Sequence, residues 1–174
     1  MDQRTVLLST EKVTLKPFGI EFLSEAYIDW LNDPIVTRFS EQRHRKHDRE
    51  TCLAFISRFD QVTSHFWAIC TPQGQHVGTI TAVRDMPNCT ADVGILVGVQ
   101  DLHNKGIGTA AWAIVCAWLF ATGTRKVTAG AMAVNESMLQ VFAKAGMVVE
   151  GRQRSQFMWE GQEVDLVFAA AFAK

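Results

Sequence analysis

The run His103-Asn104-Lys105-Gly106-Ile107-Gly108-Thr109 constrains the fold of this chain more than any other segment. It lies between a strand-like stretch, Ala91 to Gly98, and a long apolar stretch, Ala110 to Ala121. It therefore reads as a polar loop that closes on glycines and opens a buried helix. Several backbone N–H groups at such a helix start have no intrahelical partner and point outward with the positive end of the helix dipole. Glycines let a pyrophosphate approach that backbone without a side-chain clash, and Lys105 adds positive charge beside it. An isolated Gly-x-Gly is more simply a loop needing positive φ, but the strand before it and the long helix after it favour an anion site.

Two other phosphate motifs compete for these glycines. Gly106-Ile107-Gly108-Thr109-Ala110-Ala111 fits the G-x-G-x-x-A dinucleotide fingerprint, which follows its strand almost directly and expects an acidic residue about 20 positions on. Here Val99 to Lys105 separates strand from glycines, and Val127-Thr128-Ala129-Gly130-Ala131 carries no carboxylate. A nucleotide P-loop also fails, because no G-x-x-x-x-G-K-[ST] occurs.

Around this loop the periodicity is legible. Glu11 to Pro17 alternates as a first strand, and Ile20, Leu23, Tyr27, Trp30 and Leu31 recur at helical spacing until Asn32-Asp33-Pro34. Asp48 caps a second helix carrying Cys52, Phe55, Ile56 and Phe59. Strands follow at Phe66 to Cys70, Val77 to Val83 and Ala91 to Gly98, separated by turns at Pro72-Gln73-Gly74 and Pro87-Asn88. A long helix from Gly106 to Ala121, a strand from Lys126 to Ala131 and a helix from Asn135 to Ala145 stopped by Gly146 come next. Val148 to Phe157 and Val164 to Phe172 form a terminal hairpin about Glu160-Gly161. The order β-α-α-β-β-β-α-β-α-β-β predicts an α/β fold with a mixed sheet and helices on both faces, in one domain over residues 1–174.

Composition narrows the function classes. Seventeen Lys and Arg against 18 Asp and Glu leave a net charge of -1, so no global field draws the chain to nucleic acid or to an anionic membrane. Cys52, Cys70, Cys89 and Cys116 show no C-x-x-C pair and no His at ligand spacing, so neither a metal site nor a disulfide framework is expected. Met1-Asp2-Gln3-Arg4-Thr5 lacks an apolar signal core, and Ala110 to Ala121 falls short of the roughly 20 residues of a membrane span. The expected compartment is the cytoplasm.

With these features assembled, the chain resembles the GNAT superfamily of acetyltransferases, whose signature [QR]-x-x-G-x-[GA] joins a strand to a long helix. His103 stands at the Gln or Arg position, followed by Gly106 and Gly108. A second segment, Asn135-Glu136-Ser137-Met138-Leu139-Gln140-Val141-Phe142-Ala143-Lys144-Ala145-Gly146-Met147, is close to the family's N-x-x-x-x-x-x-Y-x-K-x-G-F. The match covers nearly the whole chain and implies an acyl-CoA N-acyltransferase fold and an acetyltransferase using acetyl-CoA without a metal. Trp30-Leu31-Asn32-Asp33-Pro34, Arg38-Phe39, Glu150-Gly151 and Asp165 resemble a subgroup of Rim-like enzymes acting on ribosomal-protein N-termini and relatives acting on nucleotide-activated amino sugars.

The resemblance also implies roles. His103, Asn104, Lys105, Gly106, Ile107, Gly108 and Thr109 would bind the cofactor's pyrophosphate. Ile95, Leu96 and Val97 would pair with the pantetheine arm and polarise the thioester, while their side chains serve the sheet core. Asn135, Phe142 and Lys144 complete the cofactor set, Asn135 being equally readable as a helix N-cap. Asp92, matching a catalytic glutamate of histone-acetylating relatives, is the first candidate for general base; a solvated or structural acid is its other reading. Glu41 and His44 are alternatives. Phe142 replaces a tyrosine that protonates the departing thiolate, leaving Ser137 or water to assist. Trp30, Arg38, Glu41 and Arg43 are placed around the acceptor, although a charged run such as Arg43 to Glu50 also reads as a solvated face. His65 and His76 read as ordinary sheet residues.

The partners expected are acetyl-CoA and an amine acceptor, preferably a small amine such as an amino sugar, with a homodimer left open and no nucleic acid or membrane. A Rim-like acetyltransferase of protein N-termini and a non-catalytic acyl-CoA sensor are the alternatives.

Overall fold

The computed structural model describes residues 8–174. The segment Met1 to Thr5, read above for a signal core, lies outside them. Eight strands form one sheet: β1 (Leu8–Ser9), β2 (Thr14–Pro17), β3 (Ser64–Cys70), β4 (His76–Asp85), β5 (Thr90–Val97), β6 (Lys126–Met132), β7 (Val148–Trp159) and β8 (Gln162–Phe172). The helices are α1 (Glu25–Asn32), α2 (Pro34–Thr37), α3 (Arg49–Ile56), α4 (Ile107–Ala121) and α5 (Glu136–Lys144). The sheet runs β1-β2-β3-β4-β5-β6-β8-β7, antiparallel throughout except for the parallel pair β5–β6. This is the mixed α/β arrangement that the element order predicts.

The departures are local. The expected first strand, Glu11 to Pro17, shortens to Thr14–Pro17, because the Thr10 hydroxyl accepts from the N–H groups of Lys12 and Val13 and turns the chain there. That turn adds the short β1. The expected helix from Ile20 breaks in two, since Ser24 accepts from the Tyr27 N–H and starts α1 afresh after a 3₁₀ turn at Ile20–Phe22. Asp33 closes α1 as expected and then starts another helix, its carboxylate accepting from the Ile35 and Val36 N–H groups with Pro34 at the first position.

Two apolar clusters hold the sheet from opposite sides. Under α4 and α5, Val93, Ala91, Val127, Ala129 and Ala171 meet Trp112, Val115, Leu119 and Phe142. Under α1 and α3, Phe66, Ala68 and Cys70 meet Phe18, Tyr27, Leu31 and Cys52. Each fully buried large side chain contributes roughly 1.5–3 kcal/mol. No described helix is long and apolar enough to cross a membrane.

Candidate active site

The functional geometry begins with an incomplete strand pair. β4 and β5 stay in register from Gly78↔Val97 to Asp85↔Thr90, and β6 and β8 from Lys126↔Phe172 to Met132↔Leu166. Between them, β5 and β6 pair only at Thr90↔Lys126, Ala91↔Val127 and Asp92↔Thr128. Beyond Asp92 the two strands part, so the β5 edge from Val93 to Val97 has no strand partner on that side. A wedge thus opens in the middle of the sheet, edged by main-chain groups able to pair with an extended ligand.

The glycine loop stands at the wide end of this wedge. Gly106 is the N-cap of α4 at φ +84°, a left-handed conformation that only glycine adopts without strain, and no side chain caps the helix. The N–H groups of Ile107, Gly108 and Thr109 consequently find no protein acceptor among the described residues. Gly108 leans on β5: a Cβ there would lie 3.8 Å from both Ile95 and Val97 side chains. His103 fastens the loop to the same strand, its Nε2 lying 2.8 Å from the Val97 carbonyl oxygen. A residue not anticipated from the sequence joins here. The Lys12 amine lies 3.0 Å from the position a Gly106 Cβ would take, brought over the loop by the turn between β1 and β2. Its sequence distance from the glycines gave no signal of that meeting.

Alternation along β5 assigns the faces. Ala91 and Val93 are buried under α4, so Asp92, Gly94 and Leu96 face α1 and α3. Asp92 stands at the apex of the wedge and accepts from the Thr128 hydroxyl at 3.2 Å. Surrounding protein raises its carboxyl pKa above the usual value, and the Thr128 bond opposes the shift, although the side chain remains open to solvent. Ahead of it a cavity of about 530 Å³ runs from Gly94, Ile95 and Leu96 to α1 and α3, with Arg45, Lys46 and His47 along its rim. A smaller one of about 340 Å³ is lined by Arg38, Arg43 and Trp159.

A family model described as an acetyltransferase (GNAT) domain matches residues 12–148, the stretch holding the wedge, the loop and the larger cavity. The chain belongs to the GNAT acetyltransferase family. No curated protein matches the sequence. Among solved structures, a GNAT-family acetyltransferase from Bacillus anthracis is 16% identical, covers 97% of this chain and 99% of its own, and superposes with a TM-score of 0.81. Spermidine N-acetyltransferase from Vibrio cholerae in complex with CoA and spermine is 12% identical over 94% and 97% of the two chains, with a TM-score of 0.83. A ribosomal-protein alpha-N-acetyltransferase in complex with coenzyme A is 13% identical over 95% and 96%, with a TM-score of 0.81. At these identities the likeness is one of fold.

Within this GNAT fold the anticipated residues separate into groups. Loop residues 103–109 and Ile95, Leu96 and Val97 come together at the wedge. Asn135 is the N-cap of α5, its Oδ1 accepting from the Met138 N–H at 3.2 Å. Ser137, in the first turn of α5, donates to Asn104 Oδ1 at 3.1 Å and ties α5 to the loop. Lys144 is exposed in the last turn of α5, about 10 Å along the axis from Ser137. Phe142 is 3% exposed and packs against Trp112 with centroids 5.7 Å apart, filling the core under α4 and α5.

Of the residues expected around an acceptor, Arg38 and Arg43 line the smaller cavity, whereas Trp30 and Glu41 line neither. Trp30 covers Gly98, where any Cβ would run into its ring, and packs edge-on to His76 at 5.0 Å. Burial among these rings pushes the His76 pKa down to about 4, so it stays neutral. His65 is buried as well, stacked on Trp67 at 5.1 Å. Glu41 pairs with Arg43 at 2.8 Å and with His44 at 3.8 Å. Arg43 also donates to the Met158 carbonyl, and Trp159 donates its indole N–H to the Arg38 carbonyl while stacking on Phe39 at 5.5 Å. These bonds clamp the Arg38 to His44 segment onto the β7–β8 hairpin tip.

Proposed function

We propose that the chain is an acetyl-CoA-dependent N-acetyltransferase acting on the primary amine of a small acceptor, such as a nucleotide-linked amino sugar. One observation carries this reading: the unpartnered β5 edge joins an uncapped helix start at one end and an acceptor-sized cavity on the α1–α3 face. The co-crystallised CoA of the spermidine and ribosomal-protein acetyltransferases agrees with it. Acetyl-CoA supplies the activated acyl group. The N–H groups of Ile107, Gly108 and Thr109, with Lys105 and Lys12, hold its pyrophosphate. The β5 edge takes the pantetheine arm as an added strand, and a backbone N–H of Ile95, Leu96 or Val97 polarises the carbonyl oxygen as charge grows on it.

Asp92, acting through water, accepts the proton that an ammonium must lose before its nitrogen has a free electron pair. That nitrogen attacks the acyl carbon; the C–N bond forms, the C–S bond breaks and the electron pair leaves on sulfur. The acylated nitrogen sheds its second proton, which Ser137 or water passes to the thiolate; a thiol pKa near ~8.5 makes that thiolate a competent leaving group, so Phe142 costs little. A thiol-release assay with acetyl-CoA and a panel of amino sugars, polyamines, aminoglycosides and N-terminal peptides tests the proposal, with acetylated product identified by mass spectrometry. Tight CoA binding without thiol release from any acceptor overturns it and leaves a sensor.

A further inference from the structure

The charged run from Arg43 to Glu50, readable in the sequence as a solvated face, does not stay at arm's length from the site. Arg45, Lys46 and His47 rim the larger cavity, and Arg58, just beyond α3, joins them. None of the residues lining that cavity is Asp or Glu. Of the acids near in sequence, Glu50 does not line the cavity and enters no ion pair among the described residues, and Asp60 accepts from the Val62, Thr63 and Ser64 N–H groups. Glu41 pairs with Arg43, and Asp48 accepts from the Thr51 N–H and hydroxyl to cap α3. Among the described residues, Arg45, Lys46 and Arg58 enter no ion pair. Three permanent cations therefore share one concavity without a counter-charge, in a chain whose net charge is -1. Like charges gathered in a cleft with low-dielectric walls focus a positive potential into it.

The rest of the lining sets size and orientation. Tyr27, Phe55 and Phe66 supply an apolar wall, and the Thr79 and Thr81 hydroxyls with Gly94 form the sheet wall beside the wedge. A volume of about 530 Å³ is in the range of small-molecule sites. A polyamine would bring further positive charge into the existing field. A molecule with an anion at one end and an amine at the other would place the anion on the rim and the amine at Gly94–Leu96.

We propose that the acceptor is a small primary amine bearing a carboxylate or phosphate group, whose anion is held by Arg45, Lys46 and Arg58. The inference rests on the acetyl-transfer reading and specifies its acceptor. Matched pairs differing only in the anion test it: glucosamine 6-phosphate against glucosamine, O-phosphoethanolamine against ethanolamine, and glutamate against its diamide, with spermidine as the cationic control. The anionic member of at least one pair is expected to show kcat/KM at least ~10-fold higher, an advantage that shrinks as salt is added. The phosphate and carboxylate pairs distinguish the two anions. In Arg45→Gln and, separately, Arg58→Gln, the ratio within the preferred pair is expected to fall several-fold, and calorimetric binding of the anionic member to weaken. Both positions are exposed, so folding tolerates the change. Equal or better turnover of the neutral amines, of spermidine or of an N-terminal peptide overturns the inference while acetyl transfer stands. A ratio unchanged in both variants overturns the assignment of the cations. Absence of thiol release with every acceptor overturns the underlying reading, and this inference with it.

Discussion

The two sides of the wedge are built by different means. On the proposed donor side, between the glycine loop and the β5 edge, the groups left open are main-chain N–H and C=O, and side chains mostly keep them open or in place: Gly106 at φ +84°, His103 on the Val97 carbonyl, Ser137 on Asn104. On the acceptor side, the cavities are lined by side chains from α1, the Ser40 to His47 segment, α3 and the hairpin tip. A backbone site tolerates wide sequence change because every residue carries the same main-chain groups. A side-chain site does not. Structures only 12–16% identical share this fold with TM-scores above 0.8.

Substitutions can break this comparison. Phe142→Ala is expected to have the largest effect, removing a buried ring from beneath α4 and costing about 3–5 kcal/mol in urea denaturation. At temperatures where the variant stays folded, the acceptor KM should be unchanged. Asp92→Asn should lower kcat by about 100-fold or more with CoA affinity intact. Since protein crowding raises the Asp92 pKa, kcat/KM should rise with pH through a value above the ordinary carboxylate range, and the variant should lose that limb. The same shift favours the folded state below the unfolded pKa, an advantage lost as pH rises through the folded one.

Gly106→Val places a β-branched residue at positive φ against Lys12 and should weaken CoA binding roughly 10- to 100-fold by calorimetry, the value of one charge-assisted hydrogen bond. An equal loss in acceptor KM would show that the two sides are not independent. Trp159→Ala frees the hairpin clamp and should raise the acceptor KM by about 3- to 10-fold, leaving CoA affinity alone; one lost hydrogen bond of about 1 kcal/mol sets that scale. The smallest effect is expected from Ser24→Ala, which removes the α1 cap and should cost about 1 kcal/mol in stability without moving either affinity.

Much of the donor side was legible because its signals are local. Positive φ favours glycine, a helix start exposes N–H groups, and both fall within seven consecutive residues. The break of α1 and the short β1 were missed because single hydroxyls, Ser24 and Thr10, redirect the backbone where apolar spacing runs on smoothly. The acceptor side was legible only in part. Arg38 and Arg43 were anticipated near it and line the smaller cavity, but Trp30 serves the packing over Gly98 and Glu41 is spent on neighbouring cations.

The sequence by itself determined the element order apart from β1 and α2, the mixed sheet and the loop at the start of α4, because hydrophobic periodicity and glycine conformation act over a few residues. Tertiary structure alone decided where β5 and β6 part, that Lys12 reaches Gly106, and that Arg45, Lys46 and Arg58 share one cavity without a carboxylate. Those outcomes depend on how far a paired edge extends and on which distant side chains meet across it, quantities that no local pattern of residue types encodes.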